Sequence, residues 1–161
     1  QATARRRVFL GWNMAKFAAT TTVSVESSQT ECVKILARYG ATGYMTGQLP
    51  PPKSVSFIAF EYKGQAIRLE IPLAFRDSRG KAQTPDWCAQ ELRRRWRVLV
   101  LWLKGQLEAI DNDLLSPMQA FMPHLQLRDG RTVAQAAEAE PAFIAQIGGE
   151  LMRPALEHKN A

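Results

Sequence analysis

The stretch Glu91-Leu92-Arg93-Arg94-Arg95-Trp96-Arg97-Val98-Leu99-Val100-Leu101-Trp102-Leu103-Lys104 sets a strongly basic turn directly beside a nearly all-apolar one. Leu92, Trp96, Leu99, Leu103, Leu107, Ile110 and Leu114 recur every three or four residues, which predicts one apolar stripe on a long helix over 86–115. Val98, Leu101 and Trp102 add apolar surface opposite that stripe, so the helix is expected to be covered on two sides. Pro85 and Pro117 bracket it. Asp111 and Asp113 oppose the helix dipole near its end, which predicts fraying or a partner there.

Upstream lies the clearest strand signal. Residues 55–62 and 66–73 read as two strands joined by a hairpin turn at Lys63-Gly64-Gln65. Ile67, Leu69, Ile71 and Leu73 alternate with Ala66, Arg68, Glu70 and Pro72, which predicts one buried and one wet face. Ala41 to Gln48 reads as a further strand, with Gly43 and Gly47 marking weakness or a close approach. A polyproline connection, Leu49-Pro50-Pro51-Pro52-Lys53, follows it as a loop. The β-branched run Thr20 to Val25 predicts a first strand. Ser28-Gln29-Thr30-Glu31 has capping-box spacing, ahead of a helix that carries Cys32, Ile35, Leu36 and Tyr39 on one face and ends at Gly40.

Together these elements predict an α+β fold: an antiparallel sheet of three to four strands packed against one long helix, with a small helical C-terminal part. Ile67, Leu69 and Ile71 should touch Trp96, Leu99 and Leu103. In the C-terminal part, Asp129-Gly130 marks a tight turn, Thr132 an N-cap and Val133 to Glu140 a short helix. Residues 143–156 form a last amphipathic segment interrupted by Gly148-Gly149, and 157–161 a frayed end. Met14-Ala15-Lys16 reads as a natural start, so residues 1–13 are expected to be an extension or disordered arm ahead of one domain at 14–161. Their Arg5-Arg6-Arg7 run is followed by too short an apolar stretch for an export signal.

Composition narrows the classes. A chain of 161 residues with 46% hydrophobic and 22% charged residues suits one globular domain. Two distant cysteines, Cys32 and Cys88, suit a reduced cytoplasmic setting better than a disulfide framework. No metal-ligand spacing, P-loop or nucleophile elbow is present, and His124 and His158 are isolated. The acid pairs Asp111/Asp113 and Glu138/Glu140 have a spacing that points them apart on a helix. The expectation is therefore a chain without intrinsic catalysis, cofactor or metal, and the longest apolar run, Val98 to Leu103, is too short to span a bilayer.

The net charge of +6 favours an anionic partner. Arg76, Arg79 and Lys81, in the polar loop FRDSRGKAQT, precede Arg93, Arg94 and Arg97 on the helix, and these six are the candidate phosphate contacts. Tyr44, Tyr62 and Trp87 are candidates for base stacking. Against this, Glu91 is spaced to pair with Arg95, which would leave a solvated, self-neutralised face. The alternative is a protein-contact surface built on Leu101 and Trp102, serving a homodimer or a host protein.

The runs Ala37-Arg38-Tyr39-Gly40-Ala41-Thr42-Gly43-Tyr44, Arg93-Arg94-Arg95-Trp96-Arg97 with Lys104 to Glu108, and Leu127-Arg128-Asp129-Gly130-Arg131-Thr132-Val133 resemble a family of small phage and mobile-element proteins with no assigned activity. The resemblance covers roughly residues 14–135 and implies a mobile-element context without a mechanism. The predicted element order is similar to that of the TATA-binding-protein-like fold and, without the first strand, to that of the double-stranded-RNA-binding domain. This is a likeness of topology, and fold does not imply function.

Overall fold

The computed structural model describes residues 17–73, 80–140 and 142. Its order is helix α1 (Val25–Arg38), strands β1 (Thr42–Leu49), β2 (Val55–Tyr62) and β3 (Gln65–Pro72), helix α2 (Pro85–Asp111), helix α3 (Pro117–Phe121), a 3-10 turn at Met122–His124 and helix α4 (Val133–Ala139). The fold is α+β, with a three-stranded antiparallel sheet in the order β1-β2-β3. Leu125 adds a single bridge to Ile67 outside β3, and Gln126 N–H donates to the Ala66 carbonyl at 2.9 Å.

The β2–β3 hairpin closes on a two-residue turn. Lys63 and Gly64 both take positive φ (51° and 76°), the mirror-image turn that matches strand twist. Strand pairing then puts Ser56, Ile58, Phe60 and Tyr62 on the same face as Ile71, Leu69, Ile67 and Gln65. That face carries the core. Ile58, Ile67 and Leu69 pack in one cluster with Cys32 and Leu36 of α1 and Trp96, Val100, Leu103 and Leu107 of α2, with Leu99 packed against it. The expected seating of the long helix on Ile67, Leu69 and Ile71 holds, and α2 runs unbroken through Val98.

Four expectations are corrected. Thr20 to Val25 forms no strand: residues 17–20 turn, 21–24 are irregular and α1 begins at Val25. Ser24, not Ser28, caps that helix by accepting from Ser27 N–H at 3.1 Å. Ser28 is buried one turn in, donating to the Ser24 carbonyl at 3.2 Å, while Glu31 faces α2. The long helix stops at Asp111 rather than Leu115, because Asp113 adopts φ 58° and turns the chain away, leaving Leu114 75% exposed. The outer sheet face is wet only in part: Ala66 and Pro72 are exposed, whereas Phe57 and Arg68 are 7% and 9% exposed. The Arg68 guanidinium lies 4.4 Å over the Phe57 ring and its Nε is 2.8 Å from Glu70 Oε1, though off the hydrogen-bond direction.

Both long helices end alike. After α1, Gly40 (φ 82°) donates to the Ala37 carbonyl and Ala41 to Leu36; after α2, Asp113 donates to Ile110 and Leu114 to Ala109. These paired bonds are the Schellman arrangement, which satisfies carbonyls the helix leaves orphaned. Downstream, Thr132 caps α4 through a capping box with Gln135, as its position ahead of Val133 predicts. Gln135 Nε2 also donates to Glu70 Oε2 at 2.8 Å, tying α4 to β3.

Burial separates the two cysteines chemically. Desolvation, reinforced by Glu31 and opposed by Arg97, pushes the Cys32 thiol up to about 12. Cys88 is partly exposed near the start of α2. A thiol probe at neutral pH is therefore expected to label Cys88 at least tenfold faster than Cys32, because the thiolate is the nucleophile. Equal rates in the native state, read by mass spectrometry of each peptide, would show that the core around Cys32 opens freely.

Candidate anion-binding end

The two long helices lie side by side and run in the same direction. Contacts between them keep step along both. Gln90 Nε2 donates to the Ala19 and Thr21 carbonyls ahead of α1, both at 3.0 Å. Arg97 then pairs with Glu31, and Tyr39 Oη donates to Glu108 Oε1 at 2.5 Å. Parallel packing brings both N-termini to one end of the molecule, so the positive ends of two helix dipoles add there.

At that end Ala19, Thr20, Thr21, Thr22, Ser24, Gln90 and Arg93 line an open cavity of about 560 Å³. Arg93 directs Nε and Nη2 to Gln90 Oε1, at 3.2 and 2.5 Å. This partner is neutral, so the guanidinium is positioned without being neutralised. Gln90 is held in turn by the two carbonyls ahead of α1, which fixes the group that aims Arg93. Threonine hydroxyls and a guanidinium around one cavity are donors an oxyanion can use.

The rest of the basic run separates. Arg94 forms a two-pronged pair with Glu91 (Nε–Oε2 2.8 Å, Nη2–Oε1 2.6 Å). Arg95 Nε also donates to Glu91 Oε1 at 3.0 Å, and its Nη1 reaches the Pro72 carbonyl at 3.3 Å. Glu91 is 8% exposed, and the hydrogen bond from Arg94 chiefly holds its carboxyl down at about 2. The same bond raises the Arg94 guanidinium. The pairing of Glu91 with Arg95 read from the sequence is therefore present, and Arg94 joins it. Arg97 is committed to Glu31. Of the six candidate phosphate contacts, Arg93 fits the cavity, Lys81 is exposed near the start of α2, Arg94 and Arg97 are paired internally, and Arg76 and Arg79 lie outside the described residues.

The stacking candidates also divide. Tyr44 and Trp87 are 37% and 42% exposed, whereas Tyr62 is 4% exposed within the core. For the alternative surface, Leu101 is 55% exposed and Val98 38%, so α2 is not covered on that side. Trp102 is covered instead, its ring edge-on to Phe121 at 6.0 Å and His124 at 5.3 Å. Burial there lowers the His124 imidazole from its ordinary value. Nothing in the sequence periodicity could show this, because Phe121 and His124 come from the short segments after α2.

Among the described residues no group of three His, Cys, Asp or Glu side chains could hold a metal ion, and no helix is long and apolar enough to cross a membrane. Comparison with protein-family models, with curated proteins and with solved structures gives no match.

Proposed function

We propose that this domain binds nucleic acid through its phosphates, at the end where the N-termini of α1 and α2 meet. The observation that carries the reading is Arg93, aimed by a neutral glutamine into an open cavity beside a helix N-terminus. A net charge of +6 supports it. Without a strand at 20–25, the order becomes helix, three strands, helix, with both long helices on one sheet face. That order is the one likened above to the double-stranded-RNA-binding domain, whose contacts are largely to phosphate and 2′-hydroxyl groups. It makes duplex RNA the first probe. Glu26 and Asp86, in the first turns of α1 and α2, would each repel a phosphate, which leaves Arg93 as the contact at this end.

With Arg94 and Arg97 engaged internally, two to four phosphates remain to be neutralised. Affinity is then expected to fall by about one to two powers of ten over a fourfold rise in salt. Arg93→Ala should weaken binding to every sequence alike and lower the salt slope by about one. Arg94→Ala should leave the slope unchanged, because its charge is already matched by Glu91. Gel shifts with single- and double-stranded RNA and DNA, at low and moderate salt, test this. No shift at low salt with any probe ends the reading. A protein-contact reading keeps Leu101 and Val98 as its anchor and loses Trp102. Salt-insensitive self-association abolished by Leu101→Glu would favour it.

A further inference from the structure

The two edges of the sheet are finished differently. Hydrogen-bonded pairs alternate along an antiparallel ladder. Leu73 N–H donates to the Ser54 carbonyl at 2.7 Å, so even-numbered residues of β2 bond to β3 and odd-numbered ones to β1. The even-numbered residues of β3 therefore turn their backbone groups to its outer edge. That edge is capped. The Ala66 carbonyl accepts from Gln126 N–H at 2.9 Å, the Pro72 carbonyl accepts from Arg95 Nη1 at 3.3 Å, and Pro72 has no N–H to offer.

Strand β1 is the other edge. Met45, Gly47 and Leu49 oppose Ala59, Phe57 and Val55 and bond to β2, which leaves the N–H and carbonyl groups of Thr46 and Gln48 pointing outward. Among the described residues no hydrogen bond reaches those groups, and both residues are exposed. Natural edges are blunted with lysine, proline or inward charges. Thr42–Leu49 (TGYMTGQL) has no charge and no proline. Its register slips between Thr42 and Met45 but is regular from Met45 to Leu49, and Met45 stands 57% exposed.

We propose that β1 is the surface through which two copies of this chain pair, antiparallel, into one six-stranded sheet. Gly47 lies on the two-fold axis, opposite its own copy. Thr46 and Gln48 of one protomer then exchange backbone bonds with Gln48 and Thr46 of its partner, which satisfies every outward group named above. Gly47 suits the axis, because strands come closest at a non-hydrogen-bonded pair, about 4.5 Å between Cα atoms. Met45 falls beside Leu49 of the partner on the same face, so its exposed side chain gains an apolar neighbour. A strand that meets its own copy sets like charges together wherever it carries them, and β1 carries none. A foreign strand would be selected by charges or side-chain pockets along the edge, and this edge brings no charge to the choice. The pairing also closes. It consumes both β1 edges and leaves only the capped β3 edges, so assembly stops at two. No residue from 45 to 49 lines the Arg93 cavity or the Leu101 side of α2.

A contact confined to residues 45–49 is small against the roughly 1,600 Å² of a standard interface, so a micromolar Kd is expected. The test is sedimentation equilibrium of the full chain, free of nucleic acid, from about 1 to 300 μM, with hydrogen exchange read at both ends of that range. A reversible monomer–dimer equilibrium is expected, its Kd changed by less than about threefold when salt rises fourfold. The amides of Thr46 and Gln48 should exchange at least tenfold faster in the dilute sample. Thr46→Pro removes an outward N–H without touching the bonds to β2, and should weaken dimerisation at least tenfold. Thr46→Lys sets two positive charges diagonally across the axis and should do the same. Melting curves confirm that each variant folds. Leu101→Glu should leave the Kd unchanged. A monomer throughout the range, species larger than a dimer, a dimer that both Thr46 variants leave intact, or one lost in Leu101→Glu would overturn the assignment.

Discussion

Phe121→Ala is expected to destabilise the protein by about 3–5 kcal/mol. Phe121 is fully buried and meets three other rings edge-on: Phe60 at 5.9 Å, Tyr62 at 6.1 Å and Trp102 at 6.0 Å. Each such pair adds roughly 0.5–1.5 kcal/mol beyond burial. It also anchors α3, whose five residues are far too few for a helix to hold itself together. A domain of this size is stable by roughly 5–15 kcal/mol, so one truncation removes a large share. Urea unfolding followed by tryptophan fluorescence reads it, with Met122→Ala as the control. Met122 is 51% exposed next door, and its loss should change stability by under about 1 kcal/mol. A loss below about 1 kcal/mol for Phe121→Ala would detach α3 from the core.

Glu91→Gln is the second large effect, at roughly 2–3 kcal/mol near neutral pH after allowing for the partial exposure of the arginines. The variant keeps the shape but leaves two guanidinium groups facing an amide. Its sign with pH follows from the depressed carboxyl, about 2 against an ordinary 4.5. The pair stabilises the fold fully above pH 4.5 and loses that contribution as pH falls toward 2. His124 acts in the same direction earlier. Its folded pKa is lowered, so its contribution is complete above the ordinary 6.5 and declines as pH falls below that. A melting-temperature profile from pH 8 to 3 should thus descend in two stages. His124→Gln should remove the first and Glu91→Gln the second. Identical wild-type and Glu91→Gln profiles below pH 5 would refute the network.

The sheet and the long helix were legible because their signals are local. A Lys-Gly turn between alternating strands and a 3–4 repeat centred on Trp96 leave little choice of structure. Thr20 to Val25 misled because β-branched residues suit a strand only where a partner strand exists, and Ser24 offered a helix cap instead. The arginines were legible as charge but not as chemistry. Whether Arg97 meets solvent or Glu31 depends on a residue 66 positions away, and the covering of Trp102 depends on short segments with no periodicity.

The parallel helix pair also bears on how the chain is made. Every pairing among the three strands is local, down to Tyr62 against Gln65, whereas the contacts that register the helices join residues 66 to 71 positions apart. The meander can therefore form during synthesis while α2 is still being translated. Its last residue follows β3 by about forty positions, a delay of roughly two to eight seconds at ribosomal speeds. Through that interval α1 and the sheet hold Cys32, Leu36, Ile67 and Leu69 without their cover. The nascent chain is then at its stickiest, and a chaperone that binds short apolar stretches would have its opening between the emergence of Pro72 and that of Leu107.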